Sequence, residues 1–163
     1  MDKHFELTDK FIINAFGIKL LQIKCTRKIK HADVGDLGGY IEKEDNLSGD
    51  AWVSGNAQVY GDAQVSGDAW VYGDAKVYGN AQVCGDATVS NNNEHCGFDC
   101  FGSANRHIHA YKTQSGKVEI ICGCFRGSIE EFEEQVKKTH QGNEFERQYM
   151  AIAEVIKIKL GLK

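Results

Sequence analysis

Polar and aromatic side chains crowd one short stretch of this chain: Arg106, His107, His109, Tyr111 and Lys112. The run Arg106-His107-Ile108-His109-Ala110-Tyr111 alternates like a strand, so His107 and His109 share one face. Ser103 and Asn105 stand just ahead, in the small polar loop from Gly102 to Arg106. Arg126 leaves a second strand immediately before Ser128, which opens a helix. The start of one hairpin strand lies beside the end of the next. Arg106 and Arg126 are therefore expected to flank the N-terminus of that helix. Free backbone N–H groups there, with Arg and Ser beside them, suit a phosphate or carboxylate. Tyr111 or Phe125 offers a ring on which a base can stack. The expected ligand-binding set is Ser103, Asn105, Arg106, His107, His109, Tyr111, Lys112, Arg126 and Ser128.

Six cysteines raise the question of metal: Cys25, Cys84, Cys96, Cys100, Cys122 and Cys124. His95, Cys96 and Cys100 precede the hairpin, and Cys122 and Cys124 end it. Structural zinc sites favour ligand pairs two to four residues apart, and Cys122-Gly123-Cys124 is tighter than that. Cys122 and Cys124 read better as small residues on one strand face. No residue type beside any cysteine marks an activated nucleophile. No catalytic residue, metal or cofactor is expected.

These residues must be positioned by what surrounds them, and the dominant element is a repeat. Seven six-residue units run without a gap from Leu47 to Thr88, each reading aliphatic, variable, Gly, Asp or Asn, Ala, variable. A period this short means a coiled solenoid. The aliphatic residue and the Ala point inward, while Gly and Asp/Asn take the bend, where positive φ is cheap for them. Three units make a triangular coil of eighteen residues. That period stacks Trp52 on Trp70 and Tyr60 on Tyr78, with Tyr72 beside Trp70. These aromatics occupy outward positions and are expected to form exposed edges, which suit contact with another copy. Trp52, Tyr60, Trp70, Tyr72 and Tyr78 are the expected oligomer contacts.

The expected fold is mainly β: a short left-handed parallel β-helix of two to three coils, an N-terminal β cap and a C-terminal ββαα module. The boundaries are 1–46 for the cap, 47–90 for the repeat and 91–163 for the module. Phe5 to Ile23 reads as a hairpin or small meander, and Gly35 to Ile41 as a glycine-rich turn feeding the first coil. Ser128 and Glu131 fit a capping box, with Ile129, Phe132 and Val136 as the buried stripe. Asn143 caps a second helix, whose apolar face is Phe145, Tyr149, Ile152 and Ile156. The module is expected to close the end of the prism.

The chain has 163 residues and a net charge of -4. Residues 47–90 hold five aspartates and one lysine, and the flanking segments are balanced, so the excess is on the repeat. An acidic body does not wrap duplex nucleic acid. The basic cluster Lys24, Arg27, Lys28, Lys30 and His31 reads as the solvent face of a strand and turn. No apolar run is long enough to span a bilayer, and Met1-Asp2-Lys3-His4 leads straight into a strand pattern. A soluble, cytoplasmic protein with reduced thiols is expected.

Leu37-Gly38-Gly39-Tyr40-Ile41-Glu42, then the hexapeptides, then Cys122-Gly123-Cys124-Phe125 and an acidic helix resemble hexapeptide-repeat, left-handed β-helix proteins of the phage, prophage and gut-bacterial type. The resemblance implies a homotrimer, a phage-type origin, with the host cytoplasm as its place, and a non-catalytic role. Such a protein is expected to sequester a small anionic host molecule, such as a nucleotide signal, or to inhibit a host defence protein. Many relatives of this repeat type are acyltransferases, which implies a rival reading with His107 or His109 as base. Those enzymes carry their histidine on a loop between coils. Here no histidine lies between His31 and His95, and no loop interrupts the units. A structural virion or filament component is the remaining alternative.

Overall fold

The computed structural model describes residues 3–162. The chain forms two compact units that divide between Asn92 and Asn93.

The N-terminal unit begins with three strands: β1 (Phe5–Ile13), β2 (Lys19–Cys25) and β3 (Leu37–Ile41). β1 and β2 pair antiparallel around Asn14, whose Oδ1 accepts from the amides of Phe16 and Ile18 at 2.9 and 3.0 Å. β2 pairs antiparallel with β3. The segment expected as a glycine-rich turn is thus partly a strand. Its glycines serve close approach, since a Cβ on Gly38 would lie 2.6 Å from the carbonyl oxygen of Val53.

The repeat follows as seven two-residue strands: β4 (Trp52–Val53), β5 (Gln58–Val59), β6 (Gln64–Val65), β7 (Trp70–Val71), β8 (Lys76–Val77), β9 (Gln82–Val83) and β10 (Thr88–Val89). They form three parallel ladders. β3, β5 and β8 make one, β4, β7 and β10 the second, and β6 and β9 the third. Every pair is offset by eighteen residues, as in Trp52 opposite Trp70 and Gln64 opposite Gln82. Tyr40 opposite Gln58 keeps the same offset, so the phase begins before the regular units. Val53, Val59, Val71, Val77 and Val83 are fully buried, and so are most of the repeat alanines. Each unit's glycine has φ between +63° and +70°, the left-handed bend that lets a two-residue strand turn a corner.

The N-terminal segment neutralises the acidic bends. Arg27 pairs with Asp50 at 2.6 Å and Lys43 with Asp62 at 3.0 Å, and Lys3 pairs with Glu44. Of the basic cluster, Arg27 thus reaches a carboxylate of the repeat while remaining half exposed, and Lys24 and Lys28 pair with Glu6 and Asp33 of their own segment.

The C-terminal unit holds four strands and two helices: β11 (His95–Phe101), β12 (Arg106–Lys112), β13 (Val118–Cys122), β14 (Phe125–Gly127), α1 (Ile129–His140) and α2 (Glu144–Leu160). The expected ββαα pattern is corrected to four strands in one antiparallel meander. β11 escapes a sequence reading because its register shifts between Phe98 and Phe101, with Cys100 at φ +63°. β14 has three residues, too few to show alternation.

One face of this sheet, with Ile108, Ala110, Ile120 and Cys122, packs on Phe132, Val136, Ile152 and Ile156 of the helices. Ser128 and Glu131 form the capping box: the Glu131 amide donates to Ser128 Oγ at 3.2 Å, and the Ser128 amide to Glu131 Oε2 at 2.8 Å. Asn143 caps α2 by accepting from the amides of Phe145 and Glu146. Among the described residues no helix is long and apolar enough to cross a membrane.

Candidate functional site

Alternation along β12 splits the predicted ligand set. Ile108 and Ala110 face the helices, so Arg106 lies on that face, while His107, His109 and Tyr111 point to the other. Arg126 is in register with Ile121, whose neighbours Ile120 and Cys122 face the helices. It therefore projects from the opposite face, and the expected cradle of two arginines does not form.

Arg126 is also engaged. Its Nε and Nη2 donate to the two oxygens of Glu119 at 2.7 and 2.9 Å, and Tyr111 Oη donates to Glu119 Oε2 at 2.7 Å. Burial pushes the Glu119 carboxyl up, but Arg126 and Tyr111 outweigh it and hold it below the ordinary carboxylate range. The Ser128 hydroxyl and amide are committed to the capping box, so the helix N-terminus already has its carboxylate. Ser103 and Asn105 are exposed in the β11–β12 turn, where Asn105 has φ +46°. Lys112 ends β12, about 20 Å along the strand from Arg106 at ~3.3 Å per residue.

What remains is a cavity of about 350 Å³ on the helix side of the sheet. Arg106 stands over Gly123, where a Cβ would lie 2.6 Å from its Nη1. Phe125, Phe132, His140 and Tyr149 wall the cavity, and Gln135 and Thr139 join them from α1. The rings form a continuous set: Phe125–Phe132 at 5.5 Å, Phe132–Tyr149 at 5.9 Å and His140–Tyr149 at 5.3 Å between centroids. Burial pushes the Cys122 thiol and the Tyr149 hydroxyl up, so both remain protonated, and each is hydrogen-bonded to the other. Among the described residues Arg106 makes no salt bridge. An aromatic pocket with one unmatched guanidinium suits a flat or apolar body carrying one anionic group.

The sequence reading reached Arg106 but missed Phe132 and Tyr149, which helical spacing marks only as stripe residues, and His140, which it does not mark at all. A wider cavity in the N-terminal unit, about 880 Å³, is lined by Lys3, Glu44, Arg27 and Asp50. Its two cations are already matched, Lys3 with Glu44 and Arg27 with Asp50, and its remaining charges, Asp45 and Asp68, are acidic, so it does not suit an anion.

The predicted aromatic edges are partly covered. Trp52 is 2 % exposed and Tyr60 6 %, which corrects the expectation of open edges. The His4 ring lies 6.3 Å from Trp52, and Phe16 lies 6.5 Å from Tyr60, so the N-terminal strands bring the cover. Trp70 and Tyr72 are half-buried and stacked at 4.1 Å. Tyr78, stacked on Tyr60 at 5.3 Å, is 54 % exposed.

His107 Nδ1 lies 2.7 Å from Asp99 Oδ1. His109 is 1 % exposed, and burial first, then its histidine neighbours, hold its pKa well below the ordinary value. Among the described residues no three His, Cys, Asp or Glu side chains are arranged around one ion.

No curated protein matches the chain. The repeat matches the YdcK Beta solenoid repeat family over residues 57–73, 63–79 and 81–93. By sequence the repeat segment is similar to that family of β-solenoid repeats, and the matched stretches are those that carry the eighteen-residue ladders.

Proposed function

We propose that this protein is a non-enzymatic binding protein whose C-terminal unit takes a small anionic molecule in the cavity beneath Arg106. One observation carries this reading: the Arg106 guanidinium, without a salt-bridge partner among the described residues, lines a pocket walled by aromatic rings. Arg106 itself is exposed, so its charge stays open to an incoming anion, and a guanidinium meets phosphate or carboxylate with paired N–H donors. Nucleotides combine a flat base with an anionic group, so they are the natural class, and a phage-type protein of this kind would sequester a host nucleotide signal. The rival transferase reading fares worse. A general base must reach the proton it takes, and His109 is almost wholly enclosed.

Isothermal titration and thermal-shift measurements with nucleoside monophosphates and cyclic dinucleotides test the proposal. Binding should vanish in Arg106→Ala and persist in Arg126→Ala. Equal binding by wild type and Arg106→Ala would remove the site.

A second reading concerns assembly. We take the coils as left-handed and the protein as a homotrimer, on the resemblance to hexapeptide-repeat proteins. The ring series Phe16, Tyr60, Tyr78 supports a contact along one edge, since Phe16 and Tyr78 are both exposed. The same edge would serve contact with a host defence protein. Sedimentation separates a closed trimer from an open polymer, and open polymer would favour the structural virion or filament reading. Tyr78→Lys should convert a trimer to monomer.

A further inference from the structure

The sheet face opposite the helices carries three imidazoles that the cavity beneath Arg106 does not use. His107 and His109 alternate on β12, and His95 stands across from them on β11. Ring centroids are 5.3 Å apart for His95 and His109 and 5.7 Å apart for His107 and His109. Among the described residues neither ring nitrogen of His109 has a hydrogen-bond partner, and neither does His107 Nε2. A neutral imidazole offers one donor and one acceptor, and leaving either unmatched in a buried site is unfavourable. Such groups in a folded protein need an explanation, and a bound ion supplies one.

Two features bear on where these nitrogens can act. Asp99 holds His107 Nδ1, so the proton stays there and the Nε2 lone pair is bare. Gly97 lies in register with His109, and it has no side chain to fill the space between the rings. A Cβ there would lie 3.0 Å from His109 Nδ1 and 3.3 Å from His107 Nε2. His109 Nδ1 and the Cε1–Nε2 edge of His107, with Cε1 at 2.9 Å, therefore border the space that glycine leaves open.

We propose that His107 and His109, with His95 as third ring, bind a borderline divalent transition-metal ion of the zinc type on this face. Imidazoles sharing one ion at ~2.0–2.1 Å per nitrogen, near the tetrahedral angle, have centroids roughly 5 Å apart. The two observed separations are close to that value. As they stand, the rings are not gathered around one point. Binding therefore requires the rings to turn toward one another about Cβ–Cγ, as part of this proposal. Nitrogen donors with one outer carboxylate select zinc, nickel or cobalt over magnesium or calcium, which prefer oxygen cages. The nearby thiols do not compete. Cys96 and Cys122 face the helix core, and burial pushes the Cys96 thiol up to about 11.

The test uses the full chain, stripped with chelator. Zinc is titrated against a chromophoric competitor, and cobalt is followed by its visible absorption. One ion per chain is expected. His107→Ala and His109→Ala should each weaken binding at least tenfold, and Asp99→Asn roughly tenfold. Gly97→Ala should block it by filling the space. Should His109→Ala fail to fold, Asp99→Asn carries the test, because that change removes no core side chain. Absence of zinc binding by the wild type overturns the proposal. So does binding that survives both Asp99→Asn and Gly97→Ala, or binding lost only in Cys100→Ser or Cys124→Ser.

Discussion

The imidazole of His31 lies flat on the indole of Trp70, with centroids 4.9 Å apart and planes 12° from parallel. Trp70 in turn stacks on Tyr72. The basic segment after β2 is thereby pinned to one edge of the repeat, through a ring contact as well as through the Arg27–Asp50 pair. A double-mutant cycle on His31→Ala and Trp70→Ala should give a coupling of about 0.5–1.5 kcal/mol in urea melts, the value of an aromatic pair beyond its area. A coupling near zero would mean the stack is only a contact.

The same ring makes the N-terminal unit sensitive to acid. Burial, ahead of the other causes, lowers the pKa of both His31 and His4 below 6.5. The folded unit therefore prefers them neutral. Their stabilisation is complete above the unfolded pKa and is lost as pH falls from about 6.5 through the folded values. The melting temperature at pH 5.5 should lie below that at pH 7.5, and the gap should shrink in His31→Gln. An unchanged gap in that variant would assign the acid sensitivity elsewhere.

Glycines of equal φ differ in what they touch. A Cβ on Gly67 would lie 2.9 Å from the Gly85 amide nitrogen, whereas one on Gly79 would meet nothing within 4 Å. Both have positive φ, +69° and +65°. Each alanine costs about 1–2 kcal/mol for the left-handed backbone. Gly67→Ala adds a clash with the next coil's backbone, so its loss should be clearly the larger. Equal losses by denaturant titration would show that the coils do not stack as described.

Arg126→Ala should separate structure from binding. Exposed ion pairs contribute little, so a cost of about 1 kcal/mol is expected. With Arg126 removed, the Glu119 carboxyl titrates at higher pH. Glu119's depressed value gives stability present above the unfolded pKa and lost as pH falls through the folded one. The deficit of Arg126→Ala should therefore be visible at neutral pH and fade toward pH 3.5. Ligand binding beneath Arg106 should be untouched, and a matching loss of affinity would return Arg126 to the site.

Much of this architecture is written locally in the chain. The spacing of Gly and Val alone sets the eighteen-residue register that pairs Trp52 with Trp70 and Gln64 with Gln82. Ser128 with Glu131, and Asn143, mark both helix starts, because a cap is made by residues at most three apart. The candidate site is different. Arg106 and Arg126 are close in the chain, yet one belongs to the cavity and the other to Glu119. Strand register decides which face each takes, and register depends on a bulge near Cys100 and a two-residue turn at Gly123. The aromatic edges tell the same story: periodicity sets which rings stack, but His4 and Phe16, far away in sequence, determine which remain open. Repeats and caps follow from short-range sterics and hydrogen bonds. Burial and pairing of side chains follow from contacts between distant segments, which only the folded chain brings together.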